Sequence, residues 1–226
     1  MSAASGGFCY PCRPVVALAV RIALVAAALA GCAGRLDYTA PAPGAVVTSR
    51  TVDRPLEAAW TALVAGLERR RFSLDVVDRA AGRVDLAYRG DPEPYVDCGT
   101  IVSSVRTLRG ERRYEFPAAR AAQVYEVMSG RDVYAVDRRL RLDGRMDVRL
   151  EAVGPATTRA TARGRYVVSR TQYVRRGEHG LVESFSHTTV FDSRGMGELA
   201  GPGPVVTCRP TGRFEADVLD ALGTEP

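Results

Sequence analysis

The sequence predicts an α+β domain: an antiparallel twisted sheet with one N-terminal and one C-terminal helix packed on it. Three observations carry this prediction. Apolar residues recur at helical spacing in two places, after Pro55 and after Arg213. Between them, long stretches alternate apolar and polar residues with period two, as half-buried strands do. Only one apolar run exceeds about ten residues, and it lies at the N-terminus, which excludes a multi-pass membrane protein.

That run is Val15 to Gly31, VVALAVRIALVAAALAG, followed by Cys32. At about 17 residues it is short for a span, and Arg21 in its middle costs about 2.5–3.5 kcal/mol at a bilayer centre. A secretory signal fits better. Leu29-Ala30-Gly31-Cys32 resembles the lipobox of bacterial lipoproteins, which favours lipidation over a buried or catalytic cysteine. The resemblance implies cleavage before Cys32 and acylation of its thiol and amine, with residues 1–31 as signal peptide. Several acyl chains make such an anchor stable, since each buried CH₂ contributes about 0.8 kcal/mol. Val20 is a candidate start, because (M)RIALVAAALAGC is a compact lipoprotein signal; peptides from residues 1–19 in the precursor exclude it. Cys9 and Cys12 fall outside the mature chain either way. Ala33 follows the lipidated cysteine where an Asp often retains Gram-negative lipoproteins in the inner membrane. By that resemblance the chain goes to the outer membrane and faces the periplasm.

All 31 basic residues are arginine, which excludes a Schiff-base lysine, a lysine general base and a P-loop lysine. The chain carries +5; cleavage removes Arg13 and Arg21 and no acid, leaving +3. Cys98 and Cys208 are the two thiols left to pair. In an oxidising compartment they suggest one disulfide, the alternative being two free buried thiols.

Residues 32–45 read as a lipidated tether, since Ala33 to Ala45 is rich in Pro, Ala and Gly. Residues 46–226 read as a single α+β domain. Val46 to Val52 is β-branched and strand-like. Pro55 opens a helix to Arg71 with Leu56, Trp60, Leu63, Val64 and Leu67 on one face. Phe72–Asp78 and Arg83–Arg89 form a hairpin about Ala81-Gly82. Residues 100–132 are harder to read: Arg106, Arg109, Arg112, Arg113 and Arg120 make a basic stretch, and Pro117 to Met128 is helix-compatible. Leu140, Leu142, Met146, Val148 and Leu150 alternate, Gly154-Pro155 turns, and Ala160, Ala162, Tyr166 and Val168 return. Val182–Phe191 is a further strand, Gly195–Pro204 a loop, Val205–Cys208 a short strand, and Arg213–Leu222 a helix with Gly223 just past its end.

Asp53 to Leu63 (DRPLEAAWTAL), Phe72 to Asp78 (FSLDVVD) and the Gly82 hairpin together resemble a BamC-like domain. BamC is a lipoprotein accessory of the outer-membrane β-barrel assembly machine and has helix-grip domains. The chain is also similar to uncharacterised proteobacterial lipoproteins in which Cys-Gly, here Cys98-Gly99, precedes a long hairpin. In these, Cys-x-x-Thr-Gly, here Cys208 to Gly212, opens the last helix. The resemblance implies a helix-grip-like fold and outer-membrane assembly proteins as partners.

No catalytic constellation is legible. His179 and His187 are the two histidines, and no nucleophile elbow, HExxH or phosphate loop occurs. A Cys98–His187 pair is outweighed by the disulfide. Metal-ligand spacing is absent, no cofactor is implied, and nucleic-acid binding is not expected of an exported lipoprotein. Trp60 reads as core, Asp91-Pro92-Glu93 as a turn, and the basic stretch as a solvated loop rather than a site for anionic lipid or glycan phosphates. The expectation is a non-enzymatic, lipid-anchored interaction module acting in outer-membrane assembly or maintenance. The alternative is a periplasm-facing binder of lipid or another small hydrophobic ligand. An apolar void of roughly 300 Å³ or more between helix and sheet favours the alternative; a filled interior favours the module.

Overall fold

The structure, a computed structural model, describes residues 33–70 and 72–223. It is built on one hairpin. Strands β9 (Asp132–Gly154) and β10 (Thr157–Arg176) pair antiparallel from Gly154↔Thr157 to Tyr134↔Arg176, with one irregularity beside the turn at Thr157/Thr158. The pattern dictates two unlike faces. Val136, Leu140, Leu142, Met146, Val148 and Leu150 are buried, as are Ala160, Ala162, Tyr166 and Val168 opposite them. The alternate positions carry charge. Arg139, Arg149 and neighbouring Arg83 and Arg89 lie within ion-pair distance of Asp137, Asp143 and Asp147. Each exposed pair contributes at most about 1 kcal/mol, but together they keep this face in water.

Each hairpin strand has two shorter neighbours, one at each end. On β9 these are β4 (Arg83–Gly90), near the turn, and β8 (Ala122–Ser129) at the far end. On β10 they are β2 (Ser49–Val52) near the turn and β11 (Val182–Asp192) at the far end. β3 (Ser73–Asp78) continues beyond β4 through the Gly82 turn, giving a seven-stranded sheet.

The inner face is covered by two different layers. Towards the turn lie α1 (Leu56–Arg69), α2 (Arg213–Leu219) and a 3-10 turn, Asp220–Leu222. α1 buries Ala59, Trp60, Leu63, Gly66 and Leu67, so Trp60 is core as expected. Gly66 sits where a Cβ would lie 2.1 Å from the Ala221 carbonyl oxygen, so only glycine admits this contact. The far half is covered by a second sheet of β1 (Ala33–Thr39), β6 (Thr100–Thr107) and β7 (Gly110–Pro117), in the order β1-β6-β7. A third small sheet of β12 (Gly197–Leu199), β13 (Val206–Pro210) and β5 (Val96–Asp97) completes the core.

These layers correct three expectations. Strands hold 59% and helices 13% of the described residues, so the protein is mostly β, not an α+β, helix-grip-like domain with terminal helices on a sheet. The tether expected over residues 32–45 is β1 as far as Thr39. Leu36 and Tyr38 alternate inward against the core, and the Tyr38 hydroxyl donates to the Thr207 carbonyl at 3.1 Å. The folded unit therefore includes β1 and does not begin at residue 46. The helix compatible with Pro117–Met128 is a turn followed by β8: Tyr125 and Val127 pack inward at period two, and the β-branched and aromatic content suits the sheet.

Cys98 and Cys208 are fully buried with their sulfurs 2.03 Å apart, at bonding distance, linking the segment after β5 to β13. Gly99 beside them has φ +76°, and a Cβ there would lie 2.0 Å from the Thr39 carbonyl oxygen, so β1 can seat only against glycine.

Two measurements test this packing. Reducing the disulfide, which spans 110 residues, lowers unfolding stability by about 4–5 kcal/mol, read as the shift between urea curves with and without reductant. Gly66→Val costs about 1–3 kcal/mol by forcing α1 off the 3-10 turn, whereas Gly44→Ala, in open space, changes stability by less than about 0.5 kcal/mol. Equal thermal shifts for the two variants contradict the contact.

Candidate functional site, an open strand edge beside a buried arginine pair

The residues singled out in the sequence do not converge on one site. Cys32 lies outside the described residues. Cys98 and Cys208 are joined in the core, so the Cys98 sulfur is no free nucleophile for His187. His179 and His187 are exposed on different elements. The basic stretch is split between β6, the turn after it that carries Arg109, β7 and the turn that follows, and several of its arginines pair locally, Arg106 with Glu111 at 2.8 Å and Arg113 with Glu115 at 2.8 Å. Among the described residues no three His, Cys, Asp or Glu side chains are grouped as a metal site, and no helix is long and apolar enough to cross a membrane.

Two features stand out instead. The first is β11. It pairs with β10 in unbroken register from Asp192↔Arg165 to Val182↔Arg175, and it is the last strand of the sheet on that side among the described residues. Seven successive residues, Val182 to Thr188, are exposed, on both faces of the strand. There is no proline in it, and its charges are confined to Glu183 and Asp192. Sheet edges are normally blunted by proline, bulges, charge or a covering loop; β11 has none of these along its middle. Its inner face presents Phe185, 37% exposed, and His187, which pair with Gln172 and Arg170 on β10.

The second feature lies just inside that strand. Arg138, Arg170, Gln172 and Tyr125 are all buried, where the period-two pattern brings polar side chains onto the inner face. The Arg138 guanidinium donates to the Ala118 carbonyl, and that of Arg170 donates to the Ala200 carbonyl at 2.7 Å. Neither has a carboxylate partner among the described residues, and Arg138 Nε and Nη1 and Gln172 Oε1 find no hydrogen bond. Burial pulls the Arg138 pKa down to about 10, the neighbouring Arg170 adding to the effect. Burial also raises the Tyr125 hydroxyl, against the two guanidiniums, which favour its anion.

The interior between helices and sheet is filled. Gly164 has no room for a side chain: a Cβ would sit 2.8 Å from the Tyr166 ring and 2.9 Å from a Glu215 carboxylate oxygen. Tyr166 stacks on Phe191 at 5.4 Å and donates to Glu215 at 2.7 Å. Burial, then Glu215, raises the Tyr166 pKa. Ala160, Ala162 and Gly164 thus admit close helix packing rather than line a void.

The β11 edge was half visible in the sequence, since the strand was legible but not its position at the margin. The arginine pair was missed. Arg138 and Arg170 occupy inward positions of their alternating strands, and that register was the available signal.

No family model matches the chain, and no curated protein or solved structure matches it.

Two predictions follow from the buried groups. Arg138→Met changes stability by less than about 2 kcal/mol, because relief of an uncompensated buried cation offsets the hydrogen bond lost from the Ala118 carbonyl; denaturant unfolding checks this. Tyr95, packed on Phe214 with its hydroxyl 3.3 Å from Asp217, has its pKa pushed up to about 12 by burial and by that carboxylate. Its stabilising contribution is full below its ordinary pKa of about 10 and is lost as pH rises towards 12. Wild type therefore loses more stability than Tyr95→Phe between pH 10 and 12.

Proposed function

We propose that the protein is a lipid-anchored envelope component that binds a partner by strand addition at β11 and catalyses no reaction. The observation that carries this reading is the long, unprotected β11 edge. Its free backbone donors and acceptors offer an extended peptide a ready ladder, and the alternating side chains on either face supply selectivity. The partner class is an extended segment of another envelope protein. Outer-membrane assembly proteins are the candidates, on the strength of the resemblance to a BamC-like domain. The anchor is Cys32, acylated after cleavage of residues 1–31, at the periplasmic face of the outer membrane. The filled helix–sheet interior favours this module over a binder of small hydrophobic ligands.

A photo-crosslinker at Ser184, exposed on the same face as Ser186, tests the edge in the native envelope. Recovery of assembly components by mass spectrometry supports the reading; adducts to lipid alone, or none, overturn it. Proline substitutions at Ser186 and His187 separate docking from folding. Successive strand N–H groups point to opposite sides, so one variant removes an outward donor and the other a bond to β10. The outward variant keeps its melting temperature and loses the crosslinked partner. Cys32→Ser abolishes acyl incorporation from labelled palmitate and releases the chain from the membrane fraction.

A further inference from the structure

The antiparallel registers gather four chain segments at one end of the molecule. Ala33, the residue after Cys32, pairs with Arg106, so the chain emerges beside the β6–β7 turn. β8 and β9 are joined there by the turn at Gly130-Arg131. The β10–β11 loop lies at the same end, since Arg176 pairs with Tyr134 and reaches Asp132 at 2.8 Å. The β6–β7 turn and the β10–β11 loop face each other across a cleft of about 560 Å³, lined from Leu108 and Arg109 on one side to Arg175 and Glu178 on the other.

Two side chains in these tips are unusual. Leu108 is 97% exposed and Leu181 is 91% exposed, whereas the next most exposed large apolar residue, Val47, is 64% exposed. A single exposed leucine needs no explanation, but the two most exposed large apolar side chains among the described residues share one end, one on the β6–β7 turn and one in the β10–β11 loop. Arginines surround them. Arg112 and Arg176 are paired with Glu126 and Asp132, while Arg109, Arg131 and Arg175 have no carboxylate at ion-pair distance among the described residues. Glu178 and Glu183 are the opposing acids of the β10–β11 side.

We infer that this end is a second membrane contact: Leu108 and Leu181 insert into the bilayer surface while Arg109, Arg131 and Arg175 meet lipid phosphates. The inference rests on the proposed Cys32 anchor, which would tether the chain one residue from this surface. Apolar tips ringed by arginine suit an interface whose outer layer is phosphate and whose next layer is hydrocarbon. The occupant is therefore a phospholipid surface. With β1 beginning beside Cys32, there is no spacer to hold the domain away from it.

The test uses the full chain, acylated in a bacterial envelope, purified, and placed in vesicles of phosphatidylethanolamine and phosphatidylglycerol. Leu108→Cys, Leu181→Cys and Ala156→Cys are each labelled with an environment-sensitive dye. Ala156 is an exposed control in the β9–β10 turn, at the opposite end of the hairpin. The expected result is a blue-shifted emission, quenched by lipid-borne quenchers, at positions 108 and 181 but not at 156. Reversing Arg109, Arg131 and Arg175 together to glutamate is expected to reduce the quenching. Membrane-bound protein whose dyes at 108 and 181 are quenched no more than at 156 overturns the inference and leaves the anchor standing. A chain that carries no acyl group but still floats with vesicles, with both dyes quenched, overturns the anchor and keeps the inference. A chain that neither acylates nor floats overturns both.

Discussion

The β9–β10 ladder is the constraint on which the rest of the structure depends. Twenty residues of β10 pair without a break except beside the turn, and every other element is placed relative to that ladder. Because side chains alternate with period two, a slip of one residue would carry Leu142, Val148 and Tyr166 into water and Arg141, Asp147 and Arg165 into the core. The register is therefore held by the whole pattern and not by any single contact. The charges of the outer face add little to stability, yet they make the wrong register far worse than the right one.

A hairpin of this length cannot be covered by two helices. α1 is 14 residues and α2 is 7, which at 1.5 Å per residue gives about 21 and 10 Å. A paired strand of 20 residues spans about 66 Å. Helices alone would leave the inner face of the far half exposed. The β1-β6-β7 sheet closes that deficit, with Ile101, Val105 and Phe116 inside the resulting core. Where the two coverings meet, the loops carrying Ala118 and Ala200 run over the sheet, and Arg138 and Arg170 reach up to their carbonyls. A buried guanidinium is a poor source of stability. Here it provides donors for carbonyls that neither sheet satisfies, which fixes where the loops sit.

Much of the hairpin and both helices were legible because their patterns are long and amphipathic. Leu63 and Leu67 on α1, Leu142 to Leu150 on β9, and Phe214 to Leu222 at the C-terminus each repeat a period several times. The second sheet was not legible because its signals are short or mixed. β1 has only Leu36 and Tyr38 to mark it, next to a proline-rich stretch that suggests a tether. β6 places Ser103 between Ile101 and Val105 on its buried face, and that serine is satisfied only by the Glu126 carbonyl of another strand. β7 is charged at four of its eight positions, Glu111, Arg112, Arg113 and Glu115. Such strands are defined by the surface they cover, which sequence periodicity does not reveal. The same limit applies to the candidate site: a strand's alternation says which residues share a face, but not whether the strand has a neighbour on both sides.

The two proposed contacts constrain one another. β11 begins at Val182, in the end that carries Leu108 and Leu181, and runs away from it for 11 residues, about 36 Å. If that end rests on the bilayer, the open edge stands away from the membrane instead of lying along it. An extended partner segment can then pair with β11 from the solvent side, without entering the headgroup layer, and its register fixes its height above the surface. A flexible lipid tether would allow any orientation and give no such selection. In the proposed arrangement the start of β1 at Ala33, with the apolar tips beside it, would convert the Cys32 lipid anchor into an oriented one. In that arrangement the hairpin that organises the core would also set the direction of the edge strand relative to the bilayer.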